Sequence, residues 1–229
     1  MPSELHRHQL VYLSPHAWDG VLSGARDAQA REILGHWQAH ALPLVVARQS
    51  AGHAQAGLIA LGLPAPGTWQ RRRMALDVPS CSLAGTREFP RIGELAGMAL
   101  PPASQQAVQS LQDSLGAAGV TAHVFGSHGW QRITGLPYLR PGSDLDLWVP
   151  VRHAAQADRI AGLLDDLPQP SLRVDAELVF PGGLAVAWRE WAAWRAGRVR
   201  AVLVKGLDGV ALREDRAWCA PAAAQGVAA

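Results

Sequence analysis

Apolar positions in the first hundred residues follow helix and strand periods in turn. Residues 27–40 carry apolar side chains at the spacing of one helix face, and the compact apolar run 42–47 follows. A helix and then a strand are therefore predicted. Residues 56–63 and 71–78 predict two strands that form a hairpin through the turn-rich segment PAPGTWQ. Residues 80–100 contain scattered Pro and Gly without a period, which predicts a linker.

The second half of the chain alternates predicted strands with predicted helices. Helices are predicted in segments 104–119, 126–136, 153–167 and 186–197, and strands in segments 120–125, 143–151, 172–180 and 199–206. In the helix at 153–167 the residues expected to point inward are Ala155, Ile160, Leu163 and Leu164. Such alternation predicts an α/β or α+β domain around a mixed sheet.

Composition limits the classes of protein that fit this pattern. The chain has 229 residues, of which 48% are hydrophobic and 17% charged, so it can bury a core and is not disordered. We expect a smaller N-terminal domain in residues 1–95 and a second domain in residues 96–229. The formal net charge of +2 is small for a nucleic-acid-binding protein. With two cysteines, no long apolar run and no signal-peptide pattern at the start, a cytoplasmic protein without membrane contact is expected.

A Gly-Ser pair and an Asp-x-Asp motif are the strongest local signals for chemistry. Gly126 and Ser127 stand where a predicted strand turns into a helix, an arrangement that can hold a phosphate or simply cap the helix. Asp144 and Asp146 lie two residues apart in the next predicted strand, so both carboxylates face the same way. Such a pair either faces solvent or binds divalent cations, because two adjacent carboxylates repel each other.

A second pair of acids follows in the strand predicted at 172–180. Asp175 and Glu177 repeat the two-residue spacing, so all four acids converge if the two strands are neighbours. Carboxylates without accompanying Cys or His ligands favour Mg²⁺ or Mn²⁺ over zinc.

The intervening letters carry a family resemblance. Several segments are similar to the phosphoribosyl-dephospho-CoA transferases of malonate decarboxylase, also called holo-acyl-carrier-protein synthases. In the second half of the chain they are VFGSHGWQRITGLPYLRPGSDLDLW, RVDAELVFPGGLAVAWREW and VLVK, and near the start they are RHQLVYL, LPLVVARQ and LGLPAP. The order of a strand, Gly-Ser, a helix, a strand with Asp-x-Asp and a later strand with an acid is also similar to the nucleotidyltransferase superfamily of the polymerase-beta type. The resemblance implies an α+β protein with a polymerase-beta-type nucleotidyltransferase domain in residues 96–229 and a smaller, substrate-binding N-terminal domain in residues 1–95. The substrate would be held in the cleft between them.

The resemblance also implies a reaction. The family transfers the phosphoribosyl-dephospho-CoA group from 2'-(5''-triphosphoribosyl)-3'-dephospho-CoA to a serine of the acyl-carrier subunit, releasing diphosphate. On this view Gly126 and Ser127 hold the diphosphate, and Asp144 and Asp146 hold Mg²⁺ or Mn²⁺. The family usually has Asp-Gly-Glu where this chain has Asp-Ala-Glu, so both acids are kept and the glycine is not. The third carboxylate is therefore either Asp175 or Glu177. We expect Asp175 to be ligand or base and Glu177 its supporting neighbour.

Further substrate contacts are expected from basic and aromatic residues. Arg71 and Arg73 would share one face of a predicted strand and contact phosphate, or else belong to a solvated edge. Lys205, the single lysine, stands late in an apolar strand, where a charge is unexpected unless it is paired. Trp130 is the candidate for stacking on adenine, whereas Trp188, Trp191 and Trp194 form one helix stripe typical of a core.

Two other functions remain open at this point. The chain could be a nucleotidyltransferase that modifies another carrier protein, such as that of citrate lyase. Alternatively, it could be a catalytically silent relative that only binds nucleotide or the carrier protein. A protein that only binds has no need of Asp144, Asp146 and a third acid together, and all three are present.

Overall fold

Two compact units make up the computed structural model, which describes residues 5–24, 27–95, 98, 102–167 and 173–220. Unit 1 contains the chain up to Phe89 together with the short segments Ile133–Tyr138 and Leu207–Gly209, and unit 2 contains the remainder. None of the helices in these described ranges is long and apolar enough to cross a membrane.

Unit 1 is built on a five-stranded sheet in which every neighbouring pair is antiparallel. The strands are β1 (Leu10–Leu13), β2 (Leu44–Val46), β3 (Leu58–Pro64), β4 (Arg73–Pro79) and β5 (Leu83–Arg87), in the order β4-β3-β2-β1-β5. The helices are α1 (Pro15–Ser23), α2 (Ala28–Ala39) and α3 (Ala51–Ala56).

The sequence patterns of unit 1 form as predicted in three places. The helix predicted at 27–40 is α2, whose first turn is capped by the Asp27 carboxylate accepting the backbone N–H of Ala30 at 2.9 Å. The strand predicted at 42–47 is β2, and the predicted hairpin is β3 paired with β4. The Arg72 guanidinium makes two hydrogen bonds to Asp27, of 2.6 and 2.7 Å, and so ties the hairpin loop to the helix start.

The linker predicted at 80–100 is wrong over most of its described length. Residues 83–87 form β5, which pairs with β1, and Ile92–Leu95 form a 3₁₀ turn with Ile92 and Leu95 buried. β5 is an edge strand whose last four residues are exposed, so its sequence, LAGTR, carries no alternation that would have revealed it. Residues 96–97 and 99–100 of this prediction lie outside the described residues.

Unit 2 is built on a six-stranded mixed sheet. The strands are β6 (His123–Val124), β7 (Leu145–Pro150), β8 (Val174–Phe180), β9 (Leu184–Ala187), β10 (Val202–Lys205) and β11 (Val210–Arg213), in the order β11-β10-β9-β8-β7-β6. Only the pair β7–β8 is parallel within this described sheet. The helices are α4 (Pro102–Ala117), α5 (Gly126–Thr134), α6 (Ala154–Asp165) and α7 (Trp188–Arg195). The predicted α+β class with a mixed sheet is confirmed.

One face of this sheet is buried in the core of unit 2. Leu145, Leu147 and Val149 of β7 are fully buried and share a hydrophobic cluster with side chains of α4, α6 and α7. The predicted core stripe of α7 is confirmed, because all three of its tryptophans belong to that cluster. Residues that alternate with the buried ones point to the opposite face, which is called the carboxylate face below.

Three elements of unit 2 differ from the sequence prediction. The helix predicted from residue 186 begins only at Trp188, because Leu184–Ala187 form β9, and the strand β11 was not predicted at all. All four residues of β11 are exposed, so no buried period marks it. Ala155 is exposed rather than inward, since the buried stripe of α6 runs through Ala157, Ile160, Ala161 and Leu164.

Trp191 is the residue on which the packing of α7 depends most. Its side chain is fully buried, its ring lies 5.2 Å from that of Phe180, and its Nε1 donates to Asp158 at 2.9 Å. We expect Trp191→Ala to lower the free energy of unfolding by about 3–5 kcal/mol. The exposed control Leu212→Ala should change it by less than about 0.5 kcal/mol. Urea unfolding of both variants measures this, and equal losses would contradict the packing described.

Candidate functional site

The four predicted acids meet because β7 and β8 are parallel neighbours. The pairing sets Asp146 opposite Asp175 and Trp148 opposite Glu177, so Asp146, Asp175 and Glu177 all lie on the carboxylate face. The convergence expected of neighbouring strands is therefore observed. Asp144 was expected inside the strand, but it stands one residue before β7, where the backbone has left the pairing with β8.

Gly126 brings the start of α5 against the Asp146 carboxylate. Its backbone has φ of +60°, and a Cβ added there would overlap the Asp146 Oδ2 atom and lie 2.7 Å from Cγ. The backbone N–H of Ser127 donates to the same carboxylate. Only glycine combines this left-handed conformation with such a close approach. The Gly-Ser pair and the Asp-x-Asp motif are thus parts of one local structure.

Basic side chains pair with three of the four acids. The Arg173 guanidinium binds both carboxylate oxygens of Asp144, with Nη2 at 2.6 Å from Oδ2. Lys205 Nζ lies 2.7 Å from Glu177 Oε1, so the charge in this apolar strand is paired, as its position requires. Arg189 Nη1 is 3.9 Å from Asp175 Oδ1, a looser contact between two largely exposed side chains.

Asp146 has the most unfavourable electrostatic surroundings of the four. Burial, together with the charges of Asp175, Asp144 and Glu177, raises its pKa to about 6, while the hydrogen bond from the Ser127 N–H acts in the opposite direction. The pKa of Asp144 is instead lowered, chiefly by its hydrogen bonds from Arg173. The cluster therefore holds an excess of negative charge centred on Asp146.

His128, on the first turn of α5, also touches the acidic segment. Its ring is buried, and Nδ1 lies 3.0 Å from the backbone carbonyl oxygen of Asp144. Burial lowers the pKa of this histidine, which favours the neutral ring. Sequence reasoning gave His128 no role and missed Arg173 and Arg189. The only signal for Arg173 was its position two residues before Asp175 in the strand predicted at 172–180.

The predicted substrate contacts have different surroundings. Arg71 and Arg73 do not share a strand face, because Arg71 precedes β4 with φ of +57° and strand alternation begins only at Arg73. Both are exposed, and Arg73 lies on an edge strand. Trp130 is only 4% exposed, so its ring presents little surface, and stacking on it stays a prediction.

The carboxylate oxygens of the four acids suit a hard cation, but some of them are already bound to basic side chains. Among the described residues, no three His, Cys, Asp or Glu side chains are arranged so that they could hold a metal ion. Arg173 is hydrogen-bonded to Asp144, and Lys205 is hydrogen-bonded to Glu177. Asp146 and Asp175 remain as adjacent carboxylates whose repulsion a divalent cation would relieve.

Comparison with known proteins decides the family. The model of the C-terminal domain of the phosphoribosyl-dephospho-CoA transferase MdcG matches residues 91–216, and the model of its N-terminal domain matches residues 6–88. The chain belongs to the phosphoribosyl-dephospho-CoA transferase family. The resemblance that the motifs predicted is thereby confirmed.

Individual members of the transferase family match most of the chain. A protein named phosphoribosyl-dephospho-CoA transferase from Xanthomonas euvesicatoria is 37% identical over 201 residues, which cover 87% of this chain and 89% of the relative. The protein of that name from Bradyrhizobium diazoefficiens is 32% identical over 218 residues, covering 90% and 88%. That from Pseudomonas aeruginosa is 30% identical over 200 residues, covering 85% and 90%. No solved structure matches the chain.

The close contact between Gly126 and Asp146 predicts that a methyl side chain destabilises the fold more at residue 126 than at another glycine with positive φ. Gly126→Ala should lower the free energy of unfolding by about 3 kcal/mol or more, because the side chain overlaps a carboxylate in addition to occupying a left-handed conformation. Gly142→Ala is the matched control, since Gly142 has φ of +78° and open space around it. That control should lose only about 1–2 kcal/mol. Urea unfolding that gives equal losses would contradict the close approach.

The raised pKa of Asp146 predicts a pH-dependent stability. Between pH 4 and 6 the unfolded chain releases the Asp146 proton while the folded chain keeps it, so folding stability falls as pH rises through this range. At about 1.4 kcal/mol per pKa unit, the deficit at pH 7 reaches roughly 3 kcal/mol. Asp146→Asn in metal-free buffer should therefore be more stable than the parent at pH 7 by up to that amount and equal to it near pH 4. A difference that does not vary with pH would contradict the assignment.

Proposed function

We propose that this chain transfers the phosphoribosyl-dephospho-CoA group from 2'-(5''-triphosphoribosyl)-3'-dephospho-CoA to a serine hydroxyl of the acyl-carrier subunit of malonate decarboxylase, releasing diphosphate. The observation that carries the proposal is the convergence of Asp146, Asp175 and Glu177, with Asp144 beside them, next to the start of α5 in a member of this family. Phosphoryl-type transfer needs negative charge neutralised at the reacting phosphate, and this cluster can recruit the necessary cations.

A nucleotidyltransferase arrangement of the polymerase-beta type fits this part of unit 2. The chain order β6, Gly-Ser at the start of α5, Asp-x-Asp at β7 and acids on β8 is the order that such enzymes use, and β7 and β8 lie side by side. Mg²⁺ or Mn²⁺ fits the all-oxygen donor set, with Asp146 and Asp175 as its ligands and Asp144 joining on release from Arg173. When bound, the cation would polarise the phosphate oxygens and neutralise their charge.

The residues of this chain have distinct tasks in the proposed reaction. The start of α5 holds the leaving diphosphate beside the Asp146 carboxylate, which fills the space that a Gly126 side chain would need and accepts the Ser127 backbone N–H. Asp175 accepts the proton of the acceptor serine, because its exposed carboxylate is only loosely held by Arg189. Glu177 is 8% exposed and bound to Lys205, so it supports the site from within the sheet.

Arg173 supplies positive charge at the edge of this site. Its guanidinium is largely exposed, and its pKa is raised by the hydrogen bonds to Asp144, so it stays charged throughout. A phosphate that approaches Asp144 therefore meets a guanidinium that can exchange its bidentate contact with this carboxylate for one with the phosphate.

The reaction is tested directly by the mass of the acceptor. Apo acyl-carrier subunit of malonate decarboxylase, incubated with the full chain, Mg²⁺ and 2'-(5''-triphosphoribosyl)-3'-dephospho-CoA, should gain the mass of one phosphoribosyl-dephospho-CoA group. The corresponding subunit of citrate lyase, offered in a parallel reaction, tests the choice of carrier. Absence of any mass gain on both carriers would contradict the proposed function.

The four acids should differ in how much activity depends on them. Asp144→Asn, Asp146→Asn and Asp175→Asn should each lower the single-turnover rate at saturating Mg²⁺ by about 100-fold or more, because each removes a charge beside the reacting phosphate. Glu177→Gln should lower it less, since Glu177 is turned to Lys205. The folded state of each variant is checked by its melting temperature. A larger loss in Glu177→Gln than in Asp175→Asn would reverse the two roles.

A further inference from the structure

Exposed large hydrophobic side chains are confined to one stretch of the described chain. They are Val199, Val210 and Leu212, with 43%, 54% and 71% of their surface exposed. Val210 and Leu212 both lie on β11, the edge strand of the unit 2 sheet. The other edge strand with little burial, β5 of unit 1, exposes Ala84, Gly85, Thr86 and Arg87 instead. An exposed edge is ordinarily protected by such small and charged residues, so the apolar pair on β11 needs another explanation.

The register of the sheet assigns this apolar pair to the carboxylate face. Val210 is paired with Lys205, and Leu212 with Leu203, and antiparallel partners project to the same side. Lys205 in turn reaches Glu177. The alternate residues of β10, Val202 and Val204, are buried in the core on the other side. Leu203, Val210 and Leu212, called the apolar strip below, therefore lie on the same face as the acids, with Lys205 between the strip and Glu177.

The strip is close enough to the acids for one macromolecule to cover both. Three strand spacings of about 4.8 Å separate β8 from β11, which amounts to roughly 14 Å. A standard protein interface buries about 800 Å² on each partner, and a disc of that area has a radius of about 16 Å. An acceptor protein centred on the acids thus reaches β11.

The charge around the strip indicates the kind of surface that fits it. Over residues 196–216 five basic side chains stand against three acidic ones, and Arg198 and Arg200 are exposed. Arg198 and Arg200 flank the exposed Val199. An apolar surface in a segment with an excess of basic side chains complements a partner that is apolar at its centre and acidic at its rim.

We infer that Leu203, Val210 and Leu212 form the docking surface for the acceptor protein that presents the serine, and that the acceptor's docking segment is apolar and acidic. This inference rests on the proposed function, because it needs a protein acceptor at the carboxylate face. The apolar strip contributes affinity for the acceptor and takes no part in the chemical step. Binding of triphosphoribosyl-dephospho-CoA is independent of it.

The test compares two faces of the same strand. Leu212→Asp changes the carboxylate face, whereas Ala211→Asp adds the same charge to an exposed position on the opposite face. With the apo acyl-carrier subunit as acceptor, Leu212→Asp should raise KM for the carrier roughly 10- to 100-fold. Its kcat and its KM for triphosphoribosyl-dephospho-CoA should stay within twofold of the parent. Ala211→Asp should match the parent in all three constants.

A charge swap and a binding measurement complete the test. Leu212→Arg should raise KM for the carrier less than Leu212→Asp does, because the rim of the partner is acidic, and the reverse order would overturn the chemistry assigned to the partner. Calorimetric titration of the full chain with apo-carrier, without nucleotide, should show the same ranking of dissociation constants. Leu212→Thr, which keeps strand propensity, replaces the aspartate variant if that variant's melting temperature falls by more than a few degrees.

The outcomes separate this inference from the proposed function. If the parent modifies the carrier and Leu212→Asp has an unchanged KM, the docking surface is wrong and the function stands. If the parent binds the carrier without transferring to it and Leu212→Asp weakens that binding, the docking surface stands and the function fails. If the parent neither binds nor modifies the carrier, both fail. If Leu212→Asp only dissociates a homodimer in sedimentation, the surface belongs to a second copy and the inference is overturned.

Discussion

The parallel pairing of β7 with β8 is the constraint on which the candidate site depends. It sets Asp146 directly opposite Asp175 and brings Glu177 into the same row, so like charges are held together by backbone hydrogen bonds. The buried Leu145 and Leu147 fix this register, because a slip by one residue would turn these leucines outward. The energy of the core thus maintains an arrangement that electrostatics alone opposes.

The surrounding basic side chains offset part of the repulsion between the acids. Arg173, Arg189 and Lys205 each pair with one acid, whereas Asp146 is held by a backbone N–H and keeps a raised pKa. Because Asp146 lies against Gly126, the same carboxylate connects the acidic row to the start of α5. The phosphate-holding turn and the cation-binding acids of the proposed site therefore share a single side chain.

Sequence patterns predicted many of the elements that bury a face, although β1, α1 and β9 also bury side chains and were not predicted. The helix capped by Asp27, the β3–β4 hairpin and the alternation of strands and helices in unit 2 all follow from buried periods. β5 and β11 are exposed edges, so no burial period could have revealed them. Arg71 was misplaced because a left-handed turn residue interrupts strand alternation, which letters alone do not show. The acids could be predicted from two-residue spacing, but their pairing with Arg173 and Lys205 depends on three-dimensional proximity.

Cation binding by the acidic cluster is measured by titrating the full chain with Mn²⁺ and following electron paramagnetic resonance. The parent should bind Mn²⁺, Asp146→Asn should weaken binding by about tenfold or more, and Glu177→Gln should leave it nearly unchanged. Equal Mn²⁺ affinity in the parent and Asp146→Asn would contradict the claim that these carboxylates form the cation site.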